Sequence, residues 1–187
     1  MKALNLVCSK NEPFRPQMEY IRLLEGNFYA TDAIILIKVP FHEVIPRPLF
    51  DELTAHFGAE MYFSAQNWKD AKVEKGCIFK FKPECDLIEI FDNKKSLGFL
   101  QVYKSSDFEK LYGRFPNCDQ VLHTSEAQTE SLESISINPD KLGALYSAMG
   151  KKDIKLTFYG PGKAIKANFR ESEAQAVIMP ITLNNFE

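Results

Sequence analysis

No apolar run in this chain approaches the roughly 20 residues that span a bilayer. The longest, Ala33-Ile-Ile-Leu-Ile37, is closed by Lys38 and Pro40, so no membrane partner is expected. The opening MKALNLVCSKNEPF holds a lysine but no apolar stretch of useful length. No signal peptide is expected, and the expected location is cytoplasmic. Cysteine is scarce and irregular: Cys8, Cys77, Cys85 and Cys118 show no C-x2-C spacing, and the histidines show no H-x3-H. That excludes a zinc site legible from spacing and points to reduced thiols rather than a disulfide framework. An excess of one charge is missing too. With Lys+Arg 23 against Asp+Glu 25 the net charge is −2, which excludes a chain coated with positive charge and leaves a local basic face open.

The signatures of catalysis are equally thin. Gly160-Pro-Gly-Lys163 is too short for a phosphate loop, Ala164 stands where Ser or Thr belongs, and the flanks alternate as strands do. A hairpin turn is the reading there. His42, His56 and His123 share no local pattern with the cysteines, so a hydrolase using Cys77 or Cys118 with a histidine has no positive support. Glu84, Asp86, Glu89 and Asp92 read as a solvated strand face and turn. The expectation is a non-enzyme with no cofactor and no metal.

What is present is strand alternation broken by short helices. Met18–Leu24 alternates, Glu25-Gly26-Asn27 can turn, and Phe28–Val39 is extended with a break near Asp32, a hairpin or three-strand meander. Leu49, Phe50, Leu53 and Phe57 have helical spacing, ended by Gly58. A weaker helix runs from Ser64, a cap, to Lys72, with Ala65, Trp68 and Ala71 on one side and Gly76 after it. Ile78–Lys82, Leu87–Phe91 and Leu97–Lys104 read as strands, the last two joined by Asp92-Asn-Lys-Lys95, and Phe108–Phe115 as one more.

Residues 123–134 are polar, acidic and aperiodic, which places a linker there between a domain at 1–122 and a unit at 135–187. That unit begins with Ile135 and Ile137 alternating with serines. Asn138 is a good N-cap and Pro139 fits the first helical position. Leu142, Leu145, Tyr146 and Met149 share one helical face and Gly150 ends it. Strands follow at Ile154–Phe158, Ile165–Phe169 and Ala174–Leu183, giving β-α-β-β-β. On that helix Lys141, Ala144, Ala148 and Lys151 fall opposite the apolar face, and Lys69, Lys72 and Lys75 cluster near Trp68. Either set suits a solvated face or sequence-independent phosphate contact.

Several short motifs carry more than their physics. Ala176-Val-Ile-Met-Pro-Ile-Thr-Leu183 resembles the closing strand of the bacterial β sliding clamp family, the polymerase III β subunit. Gly113-Arg-Phe-Pro-Asn117 with Val121-Leu122 resembles that family's junction between its second and third domains. Arg15-Pro16, Gly26 and Tyr29-Ala-Thr-Asp32 are similar to its hairpin, and Val44-Ile-Pro-Arg47 to a helix entry. The family has six β-α-β-β-β units per chain, and this length has room for about three. Against that pattern the first helix is missing or reduced and residues 60–76 look like an insertion, so the chain resembles a shortened clamp-like protein, such as a phage or mobile element could carry, rather than the housekeeping clamp.

The resemblance implies an α+β, DNA-clamp-like fold of repeated β-α-β-β-β units, with antiparallel sheets and helices on one face. It implies a pocket for partner peptides at Thr31, Ala33, Ile34 and Leu36, completed across a cleft by Val177, Met179, Pro180 and Ile181. The family's Gly-His-Arg is Ala33-Ile34-Ile35 here, and His123 stands in place of the junction's proline, so the polar rim differs. Lys69, Lys72, Lys141, Lys151 and Lys152 are the expected DNA-facing cations. The expected function is a sliding-clamp-like accessory protein and homo-oligomer that tethers a polymerase or repair protein to duplex DNA without sequence preference. The alternative is a clamp-fold module that docks such a protein without encircling DNA.

Overall fold

The computed structural model describes residues 2–71, 77–92, 95–124, 135–160 and 162–181. Its strands form one antiparallel sheet. They are β1 (Tyr20–Leu24), β2 (Asn27–Thr31), β3 (Ile35–Pro40), β4 (Glu60–Ser64), β5 (Ile78–Lys82), β6 (Leu87–Asp92), β7 (Lys95–Lys104), β8 (Ile154–Thr157), β9 (Ile165–Phe169) and β10 (Gln175–Ile178). The order across the sheet is β5-β6-β7-β4-β1-β2-β3-β10-β9-β8. β3 and β10 join its two halves, with Ile35 opposite Ile178, Leu36 opposite Val177 and Ile37 opposite Ala176.

The pleat sends alternate residues to opposite faces, and both faces are covered near the centre. On one face Ile21, Leu23, Phe28, Ile37, Met61, Phe63 and Ala176 pack against α1 (Arg47–Phe57), α2 (Ala65–Asp70) and α5 (Pro139–Ala148). On the other, Tyr29, Leu36, Tyr62 and Val177 lie under α3 (Ser105–Tyr112) and α4 (Cys118–Thr124), which contribute Phe108, Cys118 and Leu122. The three helices expected on one face are therefore joined by a smaller layer across the sheet.

Two β-α-β-β-β units are explicit. In β4-α2-β5-β6-β7 the first strand pairs with the last, Met61 opposite Lys104 and Phe63 opposite Val102. In the C-terminal unit Ser136 makes a single bridge to Ile181, ahead of α5-β8-β9-β10. A 3-10 turn at Leu4–Leu6 sits beside both α2 and α5. Trp68 Nε1 donates to Lys2 O at 3.0 Å, and Ala3 N to Ala148 O at 3.2 Å.

Several local expectations are corrected. The stretch 60–76, expected as an insertion, contributes β4 to the middle of the sheet and α2 to the core, with Trp68 and Ala71 buried; residues 72–76 lie outside the described residues. Phe108–Phe115 is helical up to Tyr112 rather than a strand. Phe108 and Tyr112 are four residues apart and share a helical side, and the Phe108 ring stacks on Tyr62 at 3.7 Å. The expected linker at 123–134 starts inside α4, and 125–134 lie outside the described residues. The strand at Ile135–Ile137 reduces to the Ser136 bridge. The last strand ends at Ile178, since Pro180 offers no N–H to a ladder.

On α5 the cap reads as expected: Asn138 Oδ1 accepts from Asp140 N at 2.9 Å, and Pro139 follows. The buried face is turned from the expected one. Leu145, Ala148 and Met149 are buried, Ala144 packs on the core, and Tyr146 is exposed. At 100° per residue Lys141 and Ala148 flank Leu145 on one side and Leu142 and Met149 on the other, which leaves Tyr146 outside the stripe.

A groove at the junction of the two halves

The connection from β2 to β3 is a tight turn held by its own side chains. Thr31 Oγ1 donates to Ile35 O at 2.7 Å and accepts from Ala33 N at 3.1 Å. Asp32 Oδ1 accepts from the N–H groups of Ile34 and Ile35, both at 2.9 Å. Its other oxygen, Oδ2, accepts from Lys141 Nζ at 2.5 Å. Ala33 sits in the left-handed region at φ 74, where a Cβ is strained and glycine is not. The turn holds Ile34 out toward solvent.

β10 lies alongside. Past Ile178 its donors change partners: Met179 N donates to Ile34 O at 2.8 Å and Ile181 N to Ser136 O at 2.9 Å. Over this seam runs the 113–124 segment. Cys118 and Leu122 of α4 are buried against the sheet, and Asp119 Oδ1 accepts from Lys38 Nζ at 2.8 Å and from Tyr29 OH at 3.1 Å. Tyr29 and Lys38 are cross-strand neighbours on β2 and β3.

Between turn, strand and helix lies a groove of 270 Å³, lined by Met18, Thr31, Ala33, Ile34, Ile35, Leu36, Pro116, Cys118, Val121, Val177 and Met179. Thr31 is the one lining residue with a side-chain hydroxyl, amide or charge, and its hydroxyl is already engaged. Ile34, Val121 and Met179 at the rim are exposed, at 41%, 37% and 41%. Such a site recognises shape and apolar surface. Each Leu- or Phe-sized side chain buried in it would contribute about 1.5–3 kcal/mol before the cost of ordering the ligand.

Of the residues expected at a peptide pocket, Thr31, Ala33, Ile34, Leu36, Val177 and Met179 converge here. Pro180 and Ile181 continue the chain past the groove without lining it. Met18, Ile35, Pro116, Cys118 and Val121 were missed, although the junction motif carried Pro116 and Val121. Burial pushes the Cys118 thiol up to about 12, and a thiol so shifted is a poor nucleophile. Among the described residues no His, Cys, Asp and Glu side chains converge in a way that could hold a metal ion, and no helix is long and apolar enough to cross a membrane.

The lysines expected to face DNA are not equivalent. Lys69 on α2 is exposed, and Lys151, just past α5 at φ 64, is exposed as well. Lys152 Nζ donates to Glu171 O at 2.6 Å, Lys141 is bound to Asp32, and Lys72 lies outside the described residues. Along α1, α2 and α5 the cations Arg47, Lys69 and Lys141 face the anions Asp51, Glu52, Asp70 and Asp140, and Arg47 is paired with Asp51 at 2.8 Å. These helices carry no cationic excess.

No family model and no curated protein matches the chain. Solved structures do. The β subunit from DNA polymerase of Streptococcus pyogenes superposes with a TM-score of 0.53 at 10% identity, over 96% of this chain and 62% of that one. The DNA polymerase sliding clamp from Pseudomonas aeruginosa gives 0.52 at 11%, over 96% and 62%. The pol III β of Caulobacter crescentus gives 0.50 at 12%, over 95% and 62%. This chain thus spans less than two thirds of the structures it matches. At such identities the likeness is one of fold, and it extends over nearly the whole chain: this chain has the fold of the DNA polymerase sliding clamps.

Proposed function

We propose that this protein is a clamp-fold accessory factor whose working site is the groove between β2–β3, β10 and α4. The groove receives a short apolar segment of a polymerase or repair protein, and the role is docking rather than catalysis. One observation carries this reading: both halves of the sheet and the connection between them contribute apolar side chains to a single open groove with exposed Ile34, Val121 and Met179 on its rim. Exposed apolar residues gathered around a concave surface are the usual mark of a partner site.

The test is binding of a fluorescein-labelled octapeptide with two leucines and a phenylalanine among serines, followed by fluorescence anisotropy. Met179→Glu is expected to weaken binding by roughly a hundredfold, since a carboxylate would be buried against apolar walls. Because Met179 is exposed at 41%, the variant is expected to keep the parent's thermal midpoint. Unchanged affinity would remove the groove from the reading.

Tethering to duplex DNA is the second reading, and the likeness to sliding clamps is what supports it. The outer edges of β5 and β8 end the sheet, and pairing between copies along them would build the homo-oligomer that encirclement needs. The charge balance of α1, α2 and α5 favours docking without encirclement. Solution mass with and without duplex DNA separates the two: a larger assembly that retains DNA, lost in Lys69→Glu/Lys151→Glu, would establish tethering.

A further inference from the structure

We propose that α4 is a latched wall of the groove and that Asp119 is its positioning residue, acting through Lys38 and Tyr29. This rests on the docking reading, since it concerns the wall of the same groove. Asp119 does not line the groove. Its carboxylate lies 2.8 Å from Lys38 Nζ and 3.1 Å from Tyr29 OH, and Lys38 Nζ lies 5.4 Å from the centre of the Tyr29 ring. The two partners stand side by side on adjacent strands, a rigid cradle into which the first turn of α4 delivers one carboxylate.

The consequence falls on the neighbours of Asp119. Cys118 and Val121, on the same short helix, form one side of the groove, while the opposite side, Val177 and Met179, belongs to β10. Among the described side chains of this helix Cys118 and Leu122 are buried, and the polar latch adds an ion pair and a hydrogen bond to that apolar attachment. The side chains of Lys38 and Asp119 are 28% and 43% exposed, within reach of solvent ions. Salt and ligand therefore act on one equilibrium from opposite sides: salt weakens the latch, and a bound apolar segment bridges the wall to β10 and holds it shut.

The chain contains its own reporters. Cys118 is 2% exposed in the wall, and Cys8 is 5% exposed in the core on the other face of the sheet. Global unfolding exposes both thiols; opening of α4 exposes Cys118 alone. The experiment follows modification of each cysteine by a maleimide, resolved by mass spectrometry, on the intact chain. Asp119→Ala is expected to speed Cys118 labelling by about tenfold with Cys8 unchanged, and to weaken the octapeptide by a similar factor. The exchange Lys38→Asp/Asp119→Lys is expected to restore much of both, which a merely structural side chain would not allow. In the parent, salt is expected to speed Cys118 labelling selectively and the octapeptide to slow it. If Cys118 and Cys8 rates rise together, or if Asp119→Ala leaves Cys118 within twofold of the parent, the latch is refuted. If Cys118 responds but no peptide binds, the latch stands and the docking reading fails.

Discussion

Replacing Lys141 by Met tests the pair on which the groove's turn depends. Asp32 takes three donors in the folded chain: the N–H groups of Ile34 and Ile35 at 2.9 Å each and Lys141 Nζ at 2.5 Å. Its side chain is 10% exposed and that of Lys141 28%, so the carboxylate is largely removed from water and the ammonium partly so. Methionine keeps the apolar stem and deletes the cation. A charge-assisted hydrogen bond contributes about 1.5–3 kcal/mol when buried, and partial exposure on the lysine side lowers the expected loss to about 1–2 kcal/mol. For a chain of this size that is a fall in Tm of roughly 2–8 °C. Urea unfolding followed by Trp68 fluorescence gives the free energy directly, with an unchanged slope if only the native state is affected. Combining the change with Asp32→Asn closes a double-mutant cycle, in which the pair should show a coupling of about 1 kcal/mol or more. A Lys141→Met variant as stable as the parent, or strict additivity with Asp32→Asn, would refute the argument. Charge reversal at Lys141 sets two carboxylates against each other beside the groove, so Lys69 and Lys151 are the cleaner probes of DNA contact.

Ala33→Gly should raise stability by about 0.5–1 kcal/mol, because the strain of φ 74 outweighs the extra freedom of glycine when unfolded; a loss measured by urea unfolding would contradict the left-handed turn. Stability should also fall as pH drops below about 4.5. Burial alone would raise the carboxyl of Glu43, but Ser172, the N–H of Glu173 and Lys2 hold it below the ordinary value. Burial opposes Tyr62, Ser105 and Arg22 at Glu60 in the same way, and the net shift is again downward. A lowered folded pKa means stability that is present above the unfolded value and lost as pH falls through the folded one. Urea midpoints across pH 3–6 check the sign, and Glu60→Gln should flatten the profile.

The parts of the fold visible in sequence were those with local signals. Asn138 and Pro139 marked the start of α5, Ser64 the start of α2, and the alternation of Ile165, Ala167 and Phe169 marked β9. β4 was invisible because Met61 and Phe63 face one side and Tyr62 the other, with all three buried, so no polar alternation exists to read. α3 was legible and misread: Phe108, Leu111, Tyr112 and Phe115 fall at i, i+3, i+4 and i+7, a helical spacing, and Lys110 interrupts any alternation. On α5 hydrophobicity misled, since Tyr146 is exposed while Ala148 is buried. The groove was half legible. Its turn and last strand came from short motifs, whereas the wall formed by Cys118 and Val121 depends on how α4 crosses the sheet, and Lys141 finds Asp32 across a separation of 109 residues.

The staple formed by Lys2 and Ala3 sets an order of events during synthesis. Ala3 N is bonded to Ala148 O and Trp68 Nε1 to Lys2 O, so Ala3 must wait for a partner made some 145 residues later. At ordinary rates of translation α5 emerges roughly ten to thirty seconds after Ala3. Through that interval Leu4 and Val7, both fully buried in the finished chain, have lost nothing but have gained no lid either. β3 waits equally long for β10, its edge open to any passing strand. The nascent chain is therefore most exposed to mispairing just before α5 and β10 arrive, and these two elements cover Leu4, Val7 and the edge of β3 in one step.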